Sequence, residues 1–348
     1  MSWPATHDRF LYWARTLRDV VQEEMDGFFP DKAGHGKPFA YFWARQIRCE
    51  GPNCGRILPL IGNPALSKRG THPVAVGFEY SHSSDRPTFG LLKPNDPRVR
   101  KTIKDGSATC ICNYTTPVKS VRSQLREQEG GSHSSLLLAI GVLNKQNRKE
   151  YILPDKRDKA AIDRAQEYYD TLANRLIPNT DVSIFPREKI WGKAKMNVAL
   201  YGIDEWSKAF TPRQKLQVYH FQKALSGLAP HIRREAGLTV LKLLVLTVNK
   251  VIDYCTSLCR WVPGGEFVAA TNGGEKKIPM MWDYVEVVQH NDGPGSFMNM
   301  ADWVARVIEH CAESRLAPGV SIRASATRRT YPDDSVDVLF TDPPYYDA

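Results

Sequence analysis

Two close cysteine pairs, Cys49-x4-Cys54-Gly55 and Cys110-x-Cys112, lie about 55 residues apart and set the tightest condition on how this chain can fold. The segment that carries them, Pro38 to Pro117, is built of short β-like runs interrupted by Gly, Pro, Asn and Ser. Phe39 to Phe42, Arg56 to Ile61, Val74 to Tyr80 and Val99 to Ile103 are such runs. Runs that short cannot bury much apolar surface. Four thiolates on two hairpin knuckles suit a tetrahedral zinc ion, which can hold together a β module that lacks an adequate core. Neither pair has the common C-x2-C spacing, and His35, His72 and His82 are conceivable replacement ligands. Free thiols in a β domain satisfy the same pattern. Seven cysteines in 348 residues do not make a disulfide framework. Cys255 and Cys259, spaced i,i+4 on an apolar helix, read as core residues, and Cys311 completes an amphipathic stripe.

Around that module the chain divides by pattern. Phe10, Ala14, Leu17, Val21 and Met25 recur at helical spacing, so residues 1–36 form an N-terminal helix. Residues 37–119 are the zinc-ribbon-like β module. Residues 120–153 open on a polar stretch around Gly130-Gly131 and read as a linker. Residues 154–318 are mainly helical. Ala161, Ala165, Tyr168, Tyr169, Leu172 and Leu176 form one stripe, and Thr211-Pro212-Arg213-Gln214 carries the signals of a capped helix start. Gly237 to Leu258 is apolar around most of its circumference and reads as a buried helix. Met300, Trp303, Val304, Val307, Ile308 and Cys311 mark an amphipathic one.

Composition narrows the class. Apolar residues make up 42% and charged residues 24%, which excludes global disorder. No apolar run reaches the roughly 18–20 residues that span a bilayer, and no secretory h-region opens the chain, so a cytoplasmic protein without membrane partners is expected. The net charge of +9 is uneven. Residues 1–150 hold 22 Lys and Arg against 14 Asp and Glu, and residues 151–348 hold 25 against 24. A basic first half suits a polyanion such as DNA, and equally a solvated face with a slight basic bias.

Residues 319–348 switch to strand, turn and strand. Val320 to Ala324 is one β run and Val336 to Thr341 a second. The near-continuous apolar residues of the second suit a strand buried on both faces of a parallel sheet. Asp342-Pro343-Pro344-Tyr345 follows it, at the carboxyl end where ligands of such sheets bind. An exocyclic amino group becomes nucleophilic when its N–H groups are accepted by a carboxylate and a carbonyl. Asp342 and the Pro343 carbonyl offer both, the two prolines fix the loop, and Tyr345 offers a flat face to a flipped base. A tight Pro-Pro turn ended by an aromatic would look the same.

Taken in order, several segments resemble one family. They are Lys37-Pro-Phe-Ala-Tyr-Phe-Trp-Ala-Arg-Gln-Ile-Arg-Cys49 with Asn53-Cys54-Gly55, then Phe210-Thr-Pro-Arg-Gln214, Ser257-Leu-Cys-Arg-Trp261 and Pro279-Met-Met-Trp-Asp283. The last is Ser335-Val-Asp-Val-Leu-Phe-Thr-Asp-Pro-Pro-Tyr-Tyr-Asp347. The chain is similar to the zinc-ribbon-containing adenine-specific DNA methylases from about residue 37 onward. That resemblance implies an S-adenosylmethionine-dependent enzyme that methylates adenine in DNA. It implies catalytic residues at Asp342, Pro343, Pro344 and Tyr345, and zinc ligands at Cys49, Cys54, Cys110 and Cys112. The fold it implies is α+β: part of an α/β S-adenosylmethionine-dependent methyltransferase sheet, a zinc-ribbon insert and a helical region. The family's Phe-x-Gly-x-Gly cofactor loop has no counterpart in the sequence, since Gly264-Gly265 and Gly273-Gly274 follow no buried strand. An internal fragment that needs a second polypeptide for its cofactor site is therefore the expectation. A nucleic-acid-binding module without catalysis, and an amino methyltransferase acting on RNA or another base, are the competing readings.

Overall fold

Seven of the eight residues of β1 (Lys37–Ala44) are buried, because apolar side chains on both faces of this strand meet a separate layer. A computed structural model places β1 in the middle of a four-stranded antiparallel sheet of order β11-β10-β1-β14. The other strands are β10 (Leu136–Leu143), β11 (Lys149–Ile152) and β14 (Asp283–Val287). The structure describes residues 3–69, 73–192, 195–270, 278–313, 319–325, 327–328 and 331–343.

Tyr41, Trp43, Ile140, Val142 and Tyr284 point from one face of the sheet into a helical layer. Its helices are α1 (Trp3–Met25), α3 (Lys156–Leu172), α4 (Pro212–Glu235), α5 (Gly237–Tyr254) and α6 (Phe297–Glu313). Phe10, Ala14, Leu17, Val21 and Met25 of α1 are all fully buried there, as their spacing predicts. The Thr211 capping box is also present. Its hydroxyl accepts from the Gln214 N–H, and its own N–H donates to Gln214 Oε1 at 2.9 Å. Phe39, Phe42, Leu138, Val285 and Val287 point the other way, onto Leu66, Val76, Phe78, Trp261 and Val268. These come from β4 (Ala65–Ser67), β5 (Val74–Glu79), β12 (Arg260–Val262) and β13 (Phe267–Ala269), with β6 (Thr88–Leu92) paired to β5. Cys255 and Cys259 are fully buried, one in each layer.

Several expectations are overturned. Residues 120–153 are not a linker. They hold most of α2 (Val118–Glu127) and all of β10 and β11, and β10 is an inner strand of the central sheet. The serines and glycines before Leu136 mask a run of eight apolar residues that finds a partner about 100 residues away in β1. Val99 and Arg100 lie outside any strand; only Ile103–Lys104 pairs. The α5 helix is apolar around most of its circumference but not buried all round, since Leu238, Val245 and Leu246 are exposed. Cys311 is exposed too, because α6 turns Phe297, Met300, Ala301 and Ala305 inward and Trp303 and Val307 outward. Val320 to Ala324 and Val336 to Thr341 form no strand, and Phe340 is 92% exposed. Every strand pairing among the described residues is antiparallel, so the fold is α+β without the expected parallel sheet.

One buried constellation was not legible beforehand. Glu286 on β14 accepts hydrogen bonds from Trp43 Nε1 at 2.8 Å and Thr211 Oγ1 at 2.9 Å, and is ion-paired with Arg213. The Arg213 guanidinium lies over the Tyr41 ring at 4.1 Å and the Phe29 ring at 4.5 Å. Burial alone would lower the Arg213 pKa, but Glu286, Tyr41 and Asp158 together outweigh it and raise it.

Candidate metal centre

Thiol convergence begins with two short ribbons. β2 (Gln46–Arg48) pairs with β3 (Ile57–Pro59), and β8 (Ser107–Thr109) pairs with β7 (Ile103–Lys104) and β9 (Thr115–Thr116). Thr102 ties one ribbon to the other: its N–H donates to Ile61 O at 2.9 Å, and its hydroxyl accepts from Ile61 N–H at 2.8 Å. Val121 and Leu125 of α2 pack with Ile47, Leu58, Leu60, Ile103 and Ala108 beneath them. The apolar core here is small, as short strands require.

At the tip of each ribbon the backbone turns back sharply. Cys54 N–H donates to Gly51 O, Cys110 N–H to Tyr114 O, and Asn113 N–H to Cys110 O. Asn53 (φ 57°) and Asn113 (φ 67°) adopt the left-handed conformation that Asn tolerates better than most residues. A Cβ at Gly51 would lie 2.8 Å from Tyr114 Cβ and 3.3 Å from Cys112 Sγ. Glycine is therefore needed for the two tips to approach.

The result is a cluster of Cys49, Cys54, Cys110 and Cys112 whose sulfurs all lie within 4.8 Å of one another. Cys49 Sγ is 3.6 Å from Cys112 Sγ, and Cys54 Sγ is 3.8 Å from Cys110 Sγ. A tetrahedron with metal–sulfur bonds of about 2.3 Å has edges of about 3.8 Å. The four thiols could thus hold one metal ion, and the Cys-x-Cys spacing of the second pair is no obstacle. Gly51 N–H donates to Cys49 Sγ at 3.4 Å, an orienting bond typical of metal-bound sulfur. Burial pushes the Cys49 and Cys110 thiols up. At Cys112 burial is outweighed by the Tyr114 N–H and the neighbouring thiols, which bring it down to about 7. His35 and His82 do not join the cluster, and His72 lies outside the described residues.

Asp342 and Pro343 are exposed and belong to no sheet, and Pro344 and Tyr345 lie outside the described residues.

Sequence reading missed Arg45, which is fully buried. Its guanidinium donates to Met281 O at 2.8 Å, to Ser257 O at 3.0 Å and Ser257 Oγ at 2.9 Å, and to Gly130 O. Burial lowers its pKa to about 10. Three of the segments that carry the family resemblance, around Arg45, Ser257 and Met281, thus meet at one side chain. Gly130 is locked as well: its φ is 88°, and a Cβ there would lie 2.3 Å from Ile203 Cγ1. Gly130→Ala should lower stability by about 1–3 kcal/mol, read as a fall in urea midpoint. A shift under about 0.5 kcal/mol would contradict that packing.

No described helix is long and apolar enough to cross a membrane. Comparison with protein-family models, with curated proteins and with solved structures returns no match.

Proposed function

We propose that this chain is part of a cytoplasmic DNA adenine methyltransferase whose four-thiol module holds structural zinc. The observation that carries the reading is the order of motifs ending in Asp342-Pro343-Pro344-Tyr345 after an apolar run. In this reading Asp342 and the Pro343 carbonyl accept the amino N–H groups of a flipped adenine, and Tyr345 stacks on the base. The sulfur spacing of the cysteine cluster supports zinc, and the basic first half supports a polyanionic substrate. S-adenosylmethionine supplies the methyl group, and a second polypeptide bearing the glycine-rich loop supplies its site.

Exposure of Asp342 also suits a second reading, in which the chain binds nucleic acid without catalysis. The two readings separate in one assay. Labelled methyl transfer to DNA is measured with this chain alone, then after adding a polypeptide that carries a glycine-rich loop. Transfer is expected only in the mixture, and Asp342→Ala should reduce it by at least about 10³-fold while DNA affinity stays unchanged. No transfer in the mixture, with salt-dependent DNA binding retained, would favour the binding module.

A further inference from the structure

Arg45 and its partners hold a loop of unusual backbone shape. Glu129 (φ 50°), Gly130 (φ 88°) and Gly131 (φ 71°) are three consecutive residues in the left-handed region. The two glycines adopt that region freely, but Glu129 does not, and a non-glycine residue persists there only where the surroundings dictate it. Here the surroundings are buried and specific. Besides Arg45 on Gly130 O, Tyr284 Oη donates to Ser132 O at 3.1 Å, and Gln46 Nε2 donates to Ser134 O at 2.6 Å. Ser132 Oγ donates to Lys208 O at 3.1 Å. The loop is fixed from three sides, and it presents exposed His133 to solvent.

Beside His133 lies a cavity of about 660 Å³, between this loop, α3 and the first turn of α4. That volume is within the range of small-molecule sites. The charges in its wall are not balanced locally. Glu129 pairs with Lys208 at 3.6 Å, Lys208 also with Asp204 at 2.8 Å, and Glu205 with Lys189 at 2.8 Å. These acids are therefore already matched. Two cations in the wall have no carboxylate within ion-pair distance among the described residues: Lys215 and Arg187. Lys215 Nζ donates to Tyr169 Oη at 3.1 Å and sits 4.4 Å from the centre of that ring. Arg187 Nη2 donates to Ala173 O and Asn174 Oδ1, both at 2.9 Å. Burial lowers the Lys215 ammonium to about 8, with Glu129 opposing that shift and Arg187 adding to it. The lysine stays protonated at neutral pH, partly stripped of water and without an anion.

We propose that this cavity binds a phosphoryl group, with Lys215 and Arg187 as its two cationic ligands and Tyr169 as an apolar floor. A guanidinium and a half-buried ammonium suit a doubly acceptor-rich oxyanion better than a neutral ligand. The phosphoryl group can belong to a free nucleotide or to a nucleic-acid backbone. This assignment does not depend on methyl transfer.

The test uses the full chain and three probes: inorganic phosphate, adenosine monophosphate and a short DNA duplex. Saturable binding of phosphate, one per chain, is expected by calorimetry. Lys215→Gln and Arg187→Gln should each weaken it about tenfold or more, while Lys215→Arg retains it. Lys223→Gln, outside the cavity, should leave it unchanged. Thermal midpoints establish that each variant is folded, and Arg187 is exposed, so its replacement leaves the core intact. If the duplex competes with phosphate, the group comes from a nucleic-acid backbone; if only the nucleotide competes, it comes from a small molecule. Absence of saturable phosphate binding in the wild type, or wild-type affinity retained in either Gln variant, would overturn the proposal.

Discussion

Purified chain should contain one zinc ion, and Cys110→Ser should lose it together with the fold of both ribbons. The strands that carry the four thiols are two or three residues long, too short to stand by pairing alone. Their shared apolar core is small, and Cys49 and Cys110 are themselves part of it. A structural zinc site contributes roughly 10–16 kcal/mol in apparent binding terms. Losing one of four thiolates should therefore unfold the module rather than loosen it. Hydrogen exchange would show protection lost over residues 46–60 and 101–116, while the core of the central sheet keeps its own. A chelator should reproduce the pattern in the wild type, and added zinc should reverse it. Well under one zinc per chain, or full protection in Cys110→Ser, would refute a metal-dependent module.

The second large effect is expected at Glu286. Its carboxylate is the counter-charge for Arg213, which is sealed among Phe29, Tyr41 and Trp43. Glu286→Ala would leave that guanidinium buried and unpaired, and would free the Trp43 indole N–H and the Thr211 hydroxyl as well. A loss of about 3–5 kcal/mol follows from breaking one side of a buried pair. Removing both charges should cost far less. In Arg213→Met combined with Glu286→Leu, most of that loss should be regained, because no ion is then left in an apolar layer. Urea unfolding of the single and double variants measures the coupling. A single-variant loss under about 1 kcal/mol would mean that water reaches Arg213.

How far the sequence disclosed these features depended on their range. The α1 stripe and the Thr211 capping box are local patterns, complete within one or two helical turns, and both appear where expected. The four cysteines were legible as a group because thiols in close pairs have few other uses in a β-rich segment. Arg45 and Glu286 were not, since a buried charge is recognisable only by partners some 75 to 240 residues away. β10 was hidden by the glycines and serines that precede it, which form a fixed loop rather than a linker. The apolar run before Asp342 has the composition of a buried strand, yet composition does not supply the neighbours that would bury it.

The antiparallel pairing of β1 with β14 also dictates when this protein can be finished. Trp43 and Glu286, bonded side chain to side chain, are 243 residues apart in the chain. A ribosome working at roughly 5–20 residues per second needs about 12 to 50 s to deliver the second after the first. β10 can cover one edge of β1 during that interval, but the other edge stays open until β14 emerges. For most of its synthesis the nascent chain thus carries an uncapped, strongly apolar strand. Slow translation or early termination before residue 283 would lengthen that exposure, which makes this protein a natural client for whatever shields nascent strands from one another.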